Sequence, residues 1–129
     1  MSYHNSKTVA TNFEDTIAKV TEELKKEGFG VLTEIDVKET LKRKLDVDFR
    51  NYTILGACNP PLAYKALSEE ENIGVMLPCN VIVQEKDGGI VQVSAINPME
   101  SMKSVENPNL EEVASTVSSK LAKVLENLN

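Results

Sequence analysis

Histidine occurs once in this sequence, tryptophan never and cysteine twice, and these scarcities remove several kinds of chemistry at the outset. A metallohydrolase helix of the His-Glu-x-x-His kind needs two histidines, so it is absent. The Cys-x-x-Cys pair of thiol oxidoreductases is absent too, because Cys58 and Cys79 stand far apart in the chain. No Gly-x-Ser-x-Gly nucleophile elbow occurs, and no glycine-rich phosphate loop follows the first predicted strand. Basic residues also fall short: Lys and Arg number 14 against 20 Asp and Glu, for a net charge of −6. Nucleic-acid backbones and anionic membranes call for a basic footprint, so neither is an expected partner. Only Lys42-Arg43-Lys44 is locally basic, and it reads as the solvated face of a helix. No apolar run approaches membrane-spanning length, and residues 1–7 lack the apolar centre of an export signal. The expected location is therefore cytoplasmic, with both cysteines as reduced thiols.

What the sequence does contain is enough apolar material for one core. At 129 residues, 41% of them hydrophobic, residues 1–129 are expected to form a single domain. Residues 3–9 read as a strand. Thr11 and Glu14 have the spacing of a capping box, and Phe13, Ile17, Val20 and Leu24 then recur at helical spacing until Gly28 supplies a stop. Residues 29–35 read as a second strand. Asp36 and Glu39 cap a lightly amphipathic helix carrying Val37, Leu41 and Leu45. Residues 52–58 form a strand, and Asn59 followed by Pro60 marks a helix start, since proline at the first helical position loses no hydrogen bond. Residues 75–84 alternate as a strand with Val75, Leu77, Cys79, Val81 and Val83 on the more apolar face. Asp87-Gly88-Gly89 is a hairpin signal leading into a strand at 90–96, and Asn97-Pro98 repeats the cap-and-proline device. The strongest periodicity comes last, in a helix from about Asn109 with Leu110, Val113, Val117, Leu121, Val124, Leu125 and Leu128. The resulting fold class is α+β: two layers, with a mostly antiparallel sheet and the two long helices on one face.

Chemistry is best sought around the two cysteines. If the strand ending at Cys58 runs antiparallel and adjacent to the strand bearing Cys79, the end of one lies beside the beginning of the other, and the sulfurs come close. Cys58 also precedes a predicted helix N-terminus, where the dipole and unpaired N–H groups favour a thiolate, so it is expected to be the more reactive thiol. Both cysteines also fit as small core residues. Glu69-Glu70-Glu71 reads as a frayed, solvated helix end, and His4 as a surface residue of a terminal strand. Met99 and Met102 read as packing residues of a short helix.

Four blocks, Asp36-Val37-Lys38-Glu39-Thr40-Leu41, Ile54-Leu55-Gly56-Ala57-Cys58-Asn59-Pro60, Leu77-Pro78-Cys79-Asn80-Val81 and Asn97-Pro98, together resemble domain-of-unknown-function family 302 of bacteria and archaea. The resemblance spans most of the chain, and its specific parts are Gly-x-Cys-Asn-Pro and Leu-Pro-Cys-Asn. It implies a β-α-β4-α plan similar to TATA-binding-protein-like folds and a homodimer. It implies no established activity, and any cofactor is left unknown.

Three functional readings are open. In the first, a non-catalytic homodimeric domain binds a small ligand or partner in a cleft near Cys58, Asn59, Pro60, Pro78, Cys79 and Asn80. In the second, Cys58 and Cys79 perform thiol redox chemistry or bind a soft metal, for which a closed zinc site would have to borrow ligands from a second subunit or from carboxylates. The third, an acid/base enzyme, has only solvated carboxylates to draw on.

Overall fold

A computed structural model describes residues 2–129 of the chain. Its elements are β1 (His4–Val9), α1 (Phe13–Lys26), β2 (Gly30–Asp36), α2 (Val37–Leu45), β3 (Tyr52–Cys58), α3 (Pro60–Glu69), β4 (Cys79–Lys86), β5 (Ile90–Ile96), α4 (Pro98–Ser101) and α5 (Glu111–Glu126). Short 3-10 turns fill Glu71–Met76, Lys103–Val105 and Pro108–Leu110. The five strands form one sheet in the order β1-β5-β4-β3-β2, with every neighbouring pair antiparallel. Apart from the added short helices, this is a β-α-β4-α plan.

Period-two alternation decides which face of the sheet is buried. Leu55 and Ala57 of β3, Val81 and Val83 of β4, and Val91, Val93 and Ala95 of β5 all point to one face. Helices α1 and α5 close over it, burying Val20 and Leu24 from the first and Val113, Val117, Leu121 and Val124 from the second. Phe13 and Ile17 pack at the margin of this core. The hairpin between β4 and β5 turns at Gly88 and Gly89, whose φ angles of 83° and 76° suit glycine.

Three local expectations shift. The cap of α1 is Asn12, not Thr11: Asn12 Oδ1 accepts from the Asp15 N–H at 2.8 Å, while the Thr11 hydroxyl bonds that of Thr16. The strand expected from residue 75 begins only at Cys79, because Glu71–Met76 coils into a 3-10 turn and Pro78, joined to Leu77 by a cis peptide, has no N–H for a ladder. The last helix is opened by Asn107, whose side chain accepts from the Asn109 N–H, through one 3-10 turn at Pro108–Leu110.

Candidate functional site

The end of the sheet where β3 finishes and β4 starts is built by the Asn59-Pro60 device. Asn59 Oδ1 accepts from the Leu62 N–H at 3.4 Å, and its Nδ2 donates to the Glu27 carbonyl at 3.2 Å, tying the start of α3 to the end of α1. This leaves the first turn of α3 without free donors. Pro60 and Pro61 carry no N–H, the Leu62 N–H is taken by Asn59, and the Ala63 N–H bonds the Asn59 carbonyl at 2.8 Å. The unpaired N–H groups expected beside Cys58 are therefore not there, and the helix dipole alone remains of that argument.

Register fixes the relation of the two cysteines. Ala57 stands opposite Cys79, so Cys58 is one residue from the direct partner position. Both are free thiols; Cys79 is buried and Cys58 half-buried. Burial pushes the Cys79 thiol up to about 11, and the neighbouring Cys58 adds to the effect. Cys79 is thus a protonated thiol at neutral pH, and the exposure of Cys58 makes it the more available nucleophile.

Both cysteines line a cavity of about 350 Å³ between the sheet end, α3 and α5. Its walls are apolar, with Leu62 and Ala66 from α3, Leu77 before β4 and Val117 from α5. Among the described residues, the only other polar side chain in its lining is that of Asn59, already engaged as described. Leu32 stands at the mouth. The register of β2 on β3 shifts between Val31 and Thr33, leaving Leu32 as the extra residue, 68% exposed. Opposite the bulge, Gly56 lies where a β-carbon would collide with Thr33 Oγ1 and come within 2.8 Å of Pro78 Cγ, so only glycine lets β2 and Pro78 close together here.

Of the residues singled out in the sequence, Cys58, Asn59, Pro78 and Cys79 line this cavity. Pro60 opens α3 and faces solvent outside it. Asn80 lies elsewhere: alternation along β4 turns it to the opposite sheet face, where it borders a separate depression of about 350 Å³ with Tyr52, Ile82, Gln84, Gln92 and Ile96. Sequence reasoning missed Leu32 and Met102, both in the lining of the cysteine cavity. Leu32 arrives through the bulge and Met102 through the packing of α4 on α5, and neither has a local signal. Among the described residues, no group of three or more His, Cys, Asp or Glu side chains could hold a metal ion, and no helix is long and apolar enough to cross a membrane.

Comparison with known proteins identifies a family and a closely similar structure. The model of DUF302, a domain of unknown function, matches residues 5–128. The crystal structure of an uncharacterized conserved DUF302 protein from Bacillus stearothermophilus is 32% identical, with all of both chains covered and a TM-score of 0.93. No curated protein matches the chain.

Proposed function

The chain belongs to the DUF302 family, and from the cavity beside its two cysteines we propose that it is a binding domain that takes a small, largely apolar molecule between α3, α5 and the β3–β4 end of the sheet. One observation carries this reading: a preformed cavity of about 350 Å³ with apolar walls and a single, already satisfied amide among its polar groups. That volume lies at the lower end of ligand pockets, roughly 300–1,000 Å³, which are typically apolar with a few placed polar groups. The cysteines supply the polarisable end. Titration with the neutral fluorescent probe N-phenylnaphthylamine tests the reading, with Ala63→Phe, which fills the cavity from the half-exposed side of α3, as the control. Saturable binding lost in a folded Ala63→Phe protein is the expected result; a probe that binds both proteins alike overturns it.

A homodimer is part of the same proposal. The depression around Ile82 and Ile96 on the sheet face opposite the helices has, among the described residues, no Asp, Glu, Lys or Arg in its lining, in a chain of which 26% is charged. Depletion of charge at the centre of a patch is the compositional mark of an interface, and two acidic copies can meet there without opposing like charges. The expected result is a dimer mass by light scattering that falls to the monomer in Ile82→Glu; a parent protein that is monomeric at high micromolar concentration refutes it. The free thiols suit a reducing compartment, so we place the protein in the cytoplasm. Thiol redox chemistry is the weaker alternative, because the buried Cys79, held at about 11, is a poor attacking thiolate at neutral pH.

A further inference from the structure

We propose that an acidic groove at the end of the sheet away from the cysteines binds a linear organic polycation of the polyamine class, with its ammonium groups on carboxylates and the Thr53 hydroxyl and its methylenes on Phe13 and Ile17. The groove, of about 700 Å³, lies between the first turns of α1 and α2 and the ends of β2 and β4. Glu14, Asp15, Glu34, Asp36, Glu39 and Glu85 line it, and among the described residues no Lys, Arg or His does. Four of these acids have an account in the fold alone, because negative charge suits a helix N-terminus. Glu14 and Asp15 stand in the first turn of α1, Asp36 caps α2, and Glu39 follows in its first turn, paired with Arg43 at 3.0 Å. Glu34 and Glu85 have no such account. Glu34 stands opposite Leu55 and Glu85 opposite Val91, both core residues, so both carboxylates are turned to the helix-covered face of the sheet. Inward charge on an edge strand such as β2 also deters strand addition, but β4 is the central strand and has no edge to protect. Glu85 accepts one hydrogen bond, from Asn51 Nδ2 at 2.9 Å, and among the described residues no cation pairs with it.

The floor of the groove supplies an independent observation. Thr53 is only 5% exposed, and the register sets it between Asp36 of β2 and Val83 of β4 on the same sheet face. Its hydroxyl has no hydrogen-bond partner among the described residues. No wholly buried side-chain oxygen or nitrogen among them is left in that state, so the Thr53 oxygen opens on the groove that it lines. An unpaired hydroxyl at such depth is unfavourable, and an N–H donor lying in the groove satisfies it. The spread of the acids decides the kind of cation. Among the described residues no three carboxylates gather closely enough to hold one metal ion, so the charge is laid out along the groove instead. Ammonium groups separated by short methylene chains match that layout. Phe13 and Ile17, half-buried at the margin of the core, give the methylenes an apolar wall, as apolar surface does for the stem of a lysine. The net charge of −6 attracts any cation to the protein, and the groove selects where it settles. This site shares no lining residue with the cysteine cavity and does not rest on the small-ligand reading.

The test is calorimetric titration of the full chain with spermidine at low ionic strength, repeated with added salt and with magnesium chloride in place of spermidine. The expected result is one saturable spermidine site per chain that weakens with salt, and no magnesium site of comparable affinity. The pair Glu34→Gln and Glu85→Gln together should weaken spermidine binding about tenfold. Glu69→Gln and Glu71→Gln together remove the same charge from the exposed stretch where α3 ends, and should leave binding within about twofold of the parent. Thr53→Val should weaken binding about threefold to tenfold while keeping a urea midpoint at or above that of the parent, because the hydroxyl serves no partner in the fold. A Thr53→Val protein with a lowered midpoint and unchanged spermidine affinity shows a structural hydroxyl and overturns the proposal. No saturable spermidine binding, magnesium binding as tight as spermidine, or a control pair that weakens binding as much as the groove pair overturns it as well.

Discussion

Replacing Gly56 by alanine tests how tightly β2, β3 and β4 are locked at the cavity. The added β-carbon would lie within 2.8 Å of Pro78 Cγ and overlap Thr33 Oγ1, whereas carbon atoms in good contact sit about 3.5–4.0 Å apart. Thr33 is exposed and can rotate away, but the Pro78 ring is rigid, so the strands themselves must separate by a fraction of an ångström or more. Overpacking of this kind costs about 1–3 kcal/mol. Against it stands a gain of about 0.4–1 kcal/mol from the smaller conformational freedom of alanine in the unfolded chain. A net loss of about 1–2 kcal/mol is expected, which for a domain of this size lowers Tm by roughly 3–10 °C. The assay is urea unfolding of four proteins: parent, Gly56→Ala, Thr33→Ala and the double variant. Thr33→Ala alone should change little, and in the double variant it should return part of the loss, giving a coupling of about 0.5 kcal/mol or more between the two positions. A Gly56→Ala protein as stable as its parent, or a double variant whose losses simply add, would refute the reasoning.

Two further outcomes are expected at the same end of the sheet. Because the folded state holds the Cys79 thiol at about 11 against an ordinary 9.0, its stability is fully present below about pH 9 and declines as pH rises towards 11. The total lost is on the order of 2–3 kcal/mol. Denaturant midpoints measured across that window should fall in the parent and fall less in Cys79→Ala; equal slopes in the two would show that Cys79 is not the group responsible. Asn59→Ala removes both the cap of α3 and the tie to the Glu27 carbonyl, for an expected loss of about 1–2 kcal/mol. Asn59→Asp keeps the accepting oxygen and should fall between parent and alanine, so an aspartate variant no better than alanine would show that the cap contributes nothing.

Much of this architecture is readable from local chemistry. Asn59-Pro60 and Asn97-Pro98 announce helix starts because cap and proline act within one turn, and both helices begin there. The same device at Asn107-Pro108 opens a 3-10 turn, and the apolar stripe from Leu110 to Leu128 outweighs it in setting the expected start of α5. Thr11 yields to Asn12 because both can cap, and the choice falls to the Thr11–Thr16 hydroxyl pair, which only the folded chain brings together. At the site, the placing of Cys58 and Cys79 at adjoining strand ends follows from antiparallel pairing alone, with Ala57 and not Cys58 in the place opposite Cys79. Asn80 could have been set apart from Cys79 by period-two alternation, which places adjacent strand residues on opposite faces. Leu32 and Met102 could not have been found this way. One depends on a bulge without a glycine to mark it, the other on how a four-residue helix settles against α5.

The bulge at Leu32 also bears on aggregation. β2 ends the sheet, pairs with β3 alone, and is exposed at every residue except Val31, so its outer backbone groups could serve as a template for a strand from another molecule. The register shift between Val31 and Thr33 interrupts that template near its middle, and Glu34 and Asp36 put negative charge on the remainder of the strand. At the opposite edge, Lys7 of β1 reaches across to the carbonyls of Glu126 and Leu128, tying the C-terminal residues beside that strand. Neither border offers a long, uncharged, regular ladder, so runaway strand addition is disfavoured at both rims of the sheet.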